Sequence, residues 1–368
     1  MNFALSDEQE LLTEAARGAL SRVKTVEAAR EALDGGALPD LWPTAVEAGW
    51  PGLLVAEERG GAGLGAMDAL LVFAELGRVL AAVPLLGHLP ATLLMDEGLY
   101  EGIEPFASGE RRAAFAAAKP PSAVEEAWTA DPRGGLRRAP AAVIGDGTVT
   151  GEVAWVPDAA GADAIVVAGA DGRVALVQAS DASVEPVPGY DATRSLAHVR
   201  FEDAPAEVLD VTPQAAATAW YVAQGLLAAE AVGAIERALE TSVAYAKERF
   251  TFGRAIGSYQ AIKHELVEIL RRLENARSLM YYTGWAARDK PEELPVAASA
   301  FRLVASEAYD HAARAQISVH GGIGATWEHD APLFFRRAQL DKRLLGGTGD
   351  AADRVADELF AQARAAAV

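Results

Sequence analysis

The sequence predicts an α+β chain in three parts: a helical domain over residues 1–112, a central antiparallel β domain over 113–208, and a C-terminal four-helix bundle over 209–368. Three observations predict it. Alanine and leucine recur at helical spacing through the first third. Short valine-rich runs broken by Asp-Gly pairs fill the middle. Long apolar stripes at helical spacing return after Pro213.

In the first part, Ser6 followed by Gln9 has the spacing of a capping box, whose side chains satisfy the free N–H groups of a first helical turn. The stretch Glu57-Glu58-Arg59-Gly60-Gly61-Ala62-Gly63-Leu64-Gly65 is glycine-rich, but no strand precedes it and no βαβ unit follows. It therefore lacks the context of a dinucleotide fingerprint and reads as a plain flexible connection.

In the middle part, Ala164-Ile165-Val166-Val167 and Val174-Ala175-Leu176-Val177 read as strands, and Asp146-Gly147 and Asp171-Gly172 as tight turns. Asp-Gly pairs tolerate the positive φ angles that hairpins need, so the strands should be antiparallel. The Pro- and Ala-rich residues 119–141 form the only weakly ordered-looking stretch.

After Pro213, one stripe carries Val232, Ile235, Leu239, Val243 and Ala246. The next carries Ile262, Leu266, Ile269, Leu273, Ala276 and Met280. Segments near 295–319 and 331–366 complete four helices, with Asp330 before Ala331-Pro332 placed as an N-cap of the last.

Composition narrows the function. The 33 basic and 52 acidic residues leave a formal charge of −19, which opposes binding to a phosphate backbone, so nucleic acid is not an expected partner. The absence of cysteine excludes disulfides, thiolate metal sites and cysteine nucleophiles, so redox chemistry needs a bound cofactor. Residues 1–10 hold neither a basic n-region nor an apolar h-region, and no stretch reaches about 18 uncharged apolar residues. A soluble, cytoplasmic chain with no membrane contact is the expectation.

Several short stretches carry a resemblance. Glu248-Arg249-Phe250-Thr251-Phe252-Gly253-Arg254-Ala255-Ile256-Gly257-Ser258-Tyr259-Gln260 is similar to the Arg-x-x-Phe-Gly-x-x-Ile-x-x-x-Gln signature of the acyl-CoA dehydrogenase family. Val319-His320-Gly321-Gly322-Ile323-Gly324, followed by Thr326-Trp327-Glu328-His329-Asp330, resembles the family's Gly-Gly-x-Gly turn. Gly189-Tyr190-Asp191-Ala192-Thr193-Arg194, leading to Val199-Arg200-Phe201, resembles the strand pair closing its β domain. The likeness spans the whole chain and implies that family's fold, FAD as cofactor, an acyl-CoA substrate and an electron-transfer flavoprotein as electron acceptor.

By that resemblance, Arg249, Phe252, Gln260, His320, Gly321, Gly322, Gly324 and Thr348 are the cofactor-binding residues. The chemistry suits them. Arg249 offers a fork of donors for a pyrophosphate, the glycines let backbone N–H groups approach a phosphate, and Gln260 can both donate to and accept from hydroxyls. Taken alone, Arg249 reads as a solvated helix end and the glycines as a helix cap and turn; their order and spacing together favour the cofactor. His320 has no second ligand at metal spacing, so a structural or phosphate-facing role is expected and no metal.

The pattern breaks at the reacting end. Acyl-CoA dehydrogenation needs a positioned carboxylate to take the α-proton while the flavin takes a hydride from the β-carbon. Against the family's late Glu-Gly-Thr turn this chain has Gly346 in Leu344-Leu345-Gly346-Gly347-Thr348, and against the alternative position on the first bundle helix it has Ala223, followed by Gln224 where arginine is usual. The family's Thr-Glu-x-x-Ala-Gly-Ser-Asp loop is replaced by Ala117-Ala118-Lys119-Pro120-Pro121-Ser122. Its Trp-Ile-Thr segment appears as Trp155-Val156-Pro157, where proline has neither hydroxyl nor N–H.

No catalytic residue is therefore assigned. The resemblance implies the partner subunit of a heteromeric acyl-CoA dehydrogenase, α2β2 with a paralogous chain that bears the base, acting on a bulky, possibly steroid-derived CoA thioester. Two alternatives stand beside it: a self-sufficient homomeric enzyme with a displaced base drawn from Asp350, Asp330 or Glu230, and a non-catalytic scaffold that has lost FAD.

Overall fold

The computed structural model describes residues 4–117, 128–131, 135–138, 142–169 and 171–366. Ser6 and Gln9 close the capping box with two reciprocal bonds of 3.2 Å, and α1 (Asp7–Leu20) follows. Then come α2 (Thr25–Leu33), α3 (Trp42–Glu47), α4 (Ala66–Arg78), α5 (Leu85–Glu97) and α6 (Glu104–Ala107). The glycine-rich stretch is no flexible connection. After the short turn Glu57–Arg59 the chain doubles back, and the N–H groups of Ala62, Gly63 and Leu64 bond the carbonyls of Gly52, Val55 and Leu53 at 2.8–2.9 Å.

The β part holds β1 (Ala113–Ala116), β2 (Trp128–Asp131), β3 (Gly135–Arg138), β4 (Val143–Ile144), β5 (Thr148–Pro157), β6 (Ala164–Ala168), β7 (Val174–Gln178), β8 (Ser183–Pro186) and β9 (Leu196–Leu209). The main sheet runs β1-β6-β7-β9-β5-β4, with β8 paired to β9. Both Asp-Gly pairs make the expected turns, with Gly147 and Gly172 at φ of 88° and 84°. The sheet is mixed rather than wholly antiparallel, because β1 lies parallel to β6 after the chain has crossed through β2–β5. Of the stretch 119–141 only β2 and β3 lie within the described residues, so Lys119-Pro120-Pro121-Ser122 lies outside them.

The C-terminal part comprises α7 (Pro213–Glu248), the hairpin β10 (Phe250–Thr251) and β11 (Arg254–Ala255), α8 (Gln260–Asp289), α9 (Leu294–His320), α10 (Ala331–Asp341) and α11 (Gly347–Ala366). The expected fourth helix is thus two. Leu345, Gly346 and Gly347 all take left-handed backbone, at φ of 49°, 85° and 71°, which no α-helix can carry through. Asp330 stands at the N-cap position of α10 as expected, but its side chain makes no capping bond: His329 Nδ1 accepts from the Ala331 N–H at 3.0 Å, while the Asp330 carboxylate pairs with Arg30 of α2. Helices α4 and α7 cross in direct backbone contact, since a Cβ on Gly77 would meet the Glu230 carbonyl at 1.9 Å and one on Gly233 the Ala74 carbonyl at 1.7 Å. Among the described residues no helix is long and apolar enough to cross a membrane.

Of the stretch 189–194 leading to 199–201, expected to form a closing strand pair, Val199–Phe201 lie in β9, which pairs with β8, whereas residues 187–195 are the loop between these strands, and this loop drives charge into the bundle. The fully buried Arg337 of α10 pairs with Asp191 of the loop and Glu230 of α7, and donates to the Thr193 carbonyl at 2.7 Å. Arg194 pairs with Glu230 at 2.5 Å and Asp341 at 3.4 Å. Burial works to raise the Asp191 carboxyl, but Arg337 and the Thr193 donors outweigh it and hold it below the usual range. Asp341 is the opposite case: burial dominates over Arg194 and pushes it up to about 7, and one of its oxygens has no hydrogen-bond partner.

A carboxyl whose folded pKa lies above its unfolded value of 3.8 binds its proton more tightly when folded. Its penalty is full above pH 7 and is relieved as pH falls from about 7 toward 4. Urea unfolding of the wild type and Asp341→Asn between pH 5 and 8 should show the wild type gaining on the variant as pH falls through 7, by up to about 1.4 kcal/mol per pH unit. Parallel curves would mean that Asp341 stays ionised throughout.

Candidate functional site

Two surfaces collect the residues singled out by sequence. The first is a cavity of about 620 Å³ between the β part and the turn joining α10 to α11. Phe115 and Ala117 line it from the end of β1, Trp155, Val156 and Pro157 from β5, Leu344 to Gly347 from the turn, and Asp350 and Asp353 from α11. Strand β5 slips register against β9 between Val153 and Val156, and at this bulge Trp155 takes φ of 58° and meets His198 edge-on at 5.1 Å. The places where the chain departs from the family pattern at 117, 155–157 and 346 therefore converge on one cavity.

Gly346 has a structural reason of its own. Its backbone is left-handed, and a Cβ there would lie 3.2 Å from Asp350 Oδ2 and 3.4 Å from Trp220 Cζ2. Ala223 is buried inside α7 and is not part of the cavity lining. Gln224 turns its amide elsewhere, donating to the Leu345 carbonyl at 2.8 Å. Of the three displaced carboxylates, Glu230 and Asp330 are committed to arginines, and Asp350 alone lines the cavity. Thr348 stands half-buried in the first turn of α11, between the lining residues Gly347 and Gly349, so it belongs to this side of the molecule.

The second surface is at the end of the bundle where α7 stops. Arg249 caps α7, and Phe252 and Gly253 make the two-residue turn of the β10–β11 hairpin with φ of 53° and 81°. Left-handed backbone is disfavoured by about 1–2 kcal/mol for a residue with a Cβ, yet Phe252 adopts it and is 93% exposed, beside the exposed Phe250. Gln260 opens α8, whose N-terminus has no side-chain cap, leaving its first N–H groups open to an anion. Lys247, Arg249, Arg254 and Lys263 surround this hairpin, and none pairs with a carboxylate among the described residues, although Arg254 stacks on Tyr259 at 4.0 Å.

The glycine turn joins the same end. His320 stacks on Tyr245 at 4.4 Å, and the Tyr245 carbonyl accepts the Arg249 N–H. His320 Nδ1 donates to the Gln316 carbonyl at 2.8 Å, its ring also meets His329 at 4.2 Å, and burial holds it below the ordinary imidazole range. It is packed as a structural residue. Gly321, at φ of 65°, and Gly322 face open space, whereas a Cβ on Gly324 would meet the Ile317 carbonyl at 2.7 Å. The Gly321 N–H is spent on the Ile317 and Ser318 carbonyls at 3.0 and 3.1 Å, so of the three glycines Gly322 is the one that can present its N–H to a phosphate, and Gly324 is there for packing. Sequence reasoning missed Lys247, Arg254 and Lys263, although their density on a strongly acidic chain was a usable signal.

Replacing Gly346 by alanine should lower stability by about 1–2 kcal/mol through the left-handed backbone alone. Urea unfolding measures this, and an unchanged midpoint would mean the turn relaxes to another conformation.

Comparison with known proteins follows this geometry. Models of the acyl-CoA dehydrogenase N-terminal and C-terminal domains match residues 6–102 and 214–359. The chain is 35% identical over 358 residues to the acyl-CoA dehydrogenase IpdE2 of Mycobacterium tuberculosis, covering 96% of this chain and 98% of that one. It is 32% identical to FadE34 of the same organism over 95% of its own length, which is 47% of that longer protein. Among solved structures, the Tcur3481–Tcur3483 steroid ACAD in its G363A variant superposes with a TM-score of 0.83 at 27% identity, covering 98% of this chain and 99% of that one. The ChsE4–ChsE5 complex from Mycobacterium tuberculosis gives 0.82 at 25% identity, with the same coverage.

Proposed function

The chain belongs to the acyl-CoA dehydrogenase family, and we propose that it is the partner subunit of a heteromeric member, lending adenine-side contacts to an FAD whose ring and catalytic base lie on a paralogous chain. One observation carries this reading: the two ends of the cofactor's expected path have diverged. The hairpin end keeps four cations with no carboxylate partner among the described residues, two exposed phenylalanines, an uncapped helix start and the open Gly322, a donor set that fits a pyrophosphate and an adenine. The cavity end offers Pro157, Ala117 and Gly346 at the family's departing positions, none with a side chain that can hydrogen-bond a flavin ring or take a proton.

Bound FAD supplies the family's hydride acceptor. In this reading Arg249, Lys263 and the α8 N-terminus hold anionic oxygens, Phe252 packs on the adenine side, and Gly322 brings its backbone N–H close, while the Gly321 N–H stays committed to the Ile317 and Ser318 carbonyls. These groups all face outward from this chain, which is where a cofactor shared with a neighbour has to lie. Two relatives by structure, the ChsE4–ChsE5 complex and the Tcur3481–Tcur3483 steroid ACAD, are two-component proteins, which supports an α2β2 pair acting on a steroid-derived CoA thioester. Electron-transfer flavoprotein is the matching electron acceptor.

Co-expression with a paralogous family member, followed by a flavin spectrum and a dye-linked acyl-CoA assay, tests this. FAD and turnover are expected in the copurified pair and not in the chain alone; a colourless pair would instead favour a scaffold that has lost its flavin. Within the pair, Arg249→Ala removes a charge-assisted contact and should weaken FAD retention about 10- to 100-fold without dissociating the subunits. Unchanged retention would remove this chain from the cofactor site.

One observation favours a second reading, a self-sufficient enzyme with a displaced base: Asp350 delivers a carboxylate oxygen within 3.2 Å of where a side chain at 346 would begin. Turnover by the isolated chain that disappears in Asp350→Asn would establish it.

A further inference from the structure

The chain leaves α9 at His320 and enters α10 at Ala331, and rings at the two ends of this connection touch: His320 and His329 lie 4.2 Å apart, tilted at 47°. The residues they enclose, Gly321 to Glu328, are exposed except for Gly324. Each ring has one nitrogen fixed by the backbone. The Gln316 carbonyl can only accept, so His320 carries a proton on Nδ1 and, as a neutral ring, has its lone pair on Nε2. The Ala331 N–H can only donate, so His329 has its lone pair on Nδ1 and its proton on Nε2. Tyr245 of α7 covers His320 at 4.4 Å.

His329 also serves the start of α10. A helix start leaves its first N–H groups without acceptors inside the helix. Here Pro332 has no N–H, and the Asp330 carbonyl accepts from Leu333 at 2.9 Å and Phe334 at 3.4 Å. The remaining donor, the N–H of the fully buried Ala331, goes to His329 Nδ1. A proton on that nitrogen replaces the acceptor with a second donor aimed at the same N–H. It also sets a cation at the positive end of the α10 dipole, against His320 of α9 and near Arg30 of α2, which pairs with Asp330. Burial, His320 and Arg30 hold His329 below the ordinary imidazole value of 6.5, with Asp330 pulling the other way, and burial also lowers His320. We propose that His320 and His329 form a pH-sensitive clasp on the glycine turn, closed while both rings are neutral and opened by acid, which presents Gly322 to the cofactor only when closed. The clasp stands on the ring geometry; its link to flavin rests on the adenine-side reading. Because His329 binds its proton more weakly in the folded chain, its contribution to stability is full above about pH 6.5 and is lost as pH falls below that.

Amide hydrogen exchange in the purified pair, expressed as protection factors to remove the intrinsic effect of pH, reads the clasp without reference to flavin. Between pH 7.5 and 5.5, protection over residues 321–334 should fall about tenfold, while that over residues 269–280 of α8 stays level. His329→Asn keeps an acceptor two residues ahead of the Ala331 N–H, as Asx turns do, and cannot titrate. Its protection over 321–334 should be flat across the same range. Flavin retention by the pair should fall with protection in the wild type and hold level in His329→Asn. Wild-type protection unchanged within about twofold overturns the clasp whether or not the variant folds, and so does a folded variant that loses protection as the wild type does. Opening of the turn without loss of flavin keeps the clasp and sinks the adenine-side reading of the glycine turn instead.

Discussion

The contact on which the rest of the architecture depends is the buried pairing of Arg337 with Asp191 and Glu230. A guanidinium removed from water is strongly penalised unless its planar fork meets carboxylates in the same plane, and removal of either partner leaves an uncompensated charge at a cost of about 3–5 kcal/mol. Here the partners come from different parts of the fold: Asp191 from the loop leaving β8, Glu230 from the helix that crosses α4, and Arg337 from α10. The β part can therefore dock on the bundle in only one position. The cavity, which has one wall in β5 and another in the α10–α11 turn, exists because that docking is unique.

Charge balance at this junction is deliberately tight. Arg194 adds a second cation between Glu230 and Asp341, and Arg302 brings a third close by, whose burial pulls its pKa down to about 10. Asp341 bears the burden, with one oxygen lacking a partner and its carboxyl raised toward neutrality. Asp158, which receives the Gly87 N–H at 3.0 Å next to Pro157, is likewise pushed up by burial, to about 6, against the pull of Arg194. Each is next in sequence to a residue that lines the cavity, Asp341 to Leu340 and Lys342, and Asp158 to Pro157.

Periodicity revealed the helices because burial selects for it: Ile269, Leu273, Ala276 and Met280 were read as one stripe and are buried together. The Asp-Gly turns were legible because positive φ leaves a mark on residue choice. The break after Asp341 was harder, since its signal was a glycine pair beside a leucine, and Leu345 has no reason in its own chemistry to be left-handed. The mixed pairing of β1 with β6, and the loop in place of a strand at 189–194, were invisible for a related reason. Both are fixed by partners remote in sequence, β6 for one and Arg337 for the other. In the candidate site, Arg249 and the glycine turn were found through their motifs, whereas Lys263 and Arg254 became meaningful only when the fold left them without carboxylates.

The hairpin end and the cavity end of the chain are also held in different ways. The hairpin end consists of exposed groups on a strained turn, held to the bundle by a few backbone bonds and the Tyr245–His320 stack, and its side chains answer only to what docks on them. An aromatic residue kept 93% exposed in left-handed backbone gains nothing from packing within the chain. The cavity end is bound into the junction, where Gly346 is held by Trp220 beneath it, Asp350 beside it and the Gln224 bond one residue before it. A glutamate returned to that position would meet a backbone that disfavours it and a carboxylate already present. The backbone of the turn thus disfavours a side chain at position 346, while the exposed side chains of the hairpin end are constrained by little within the chain.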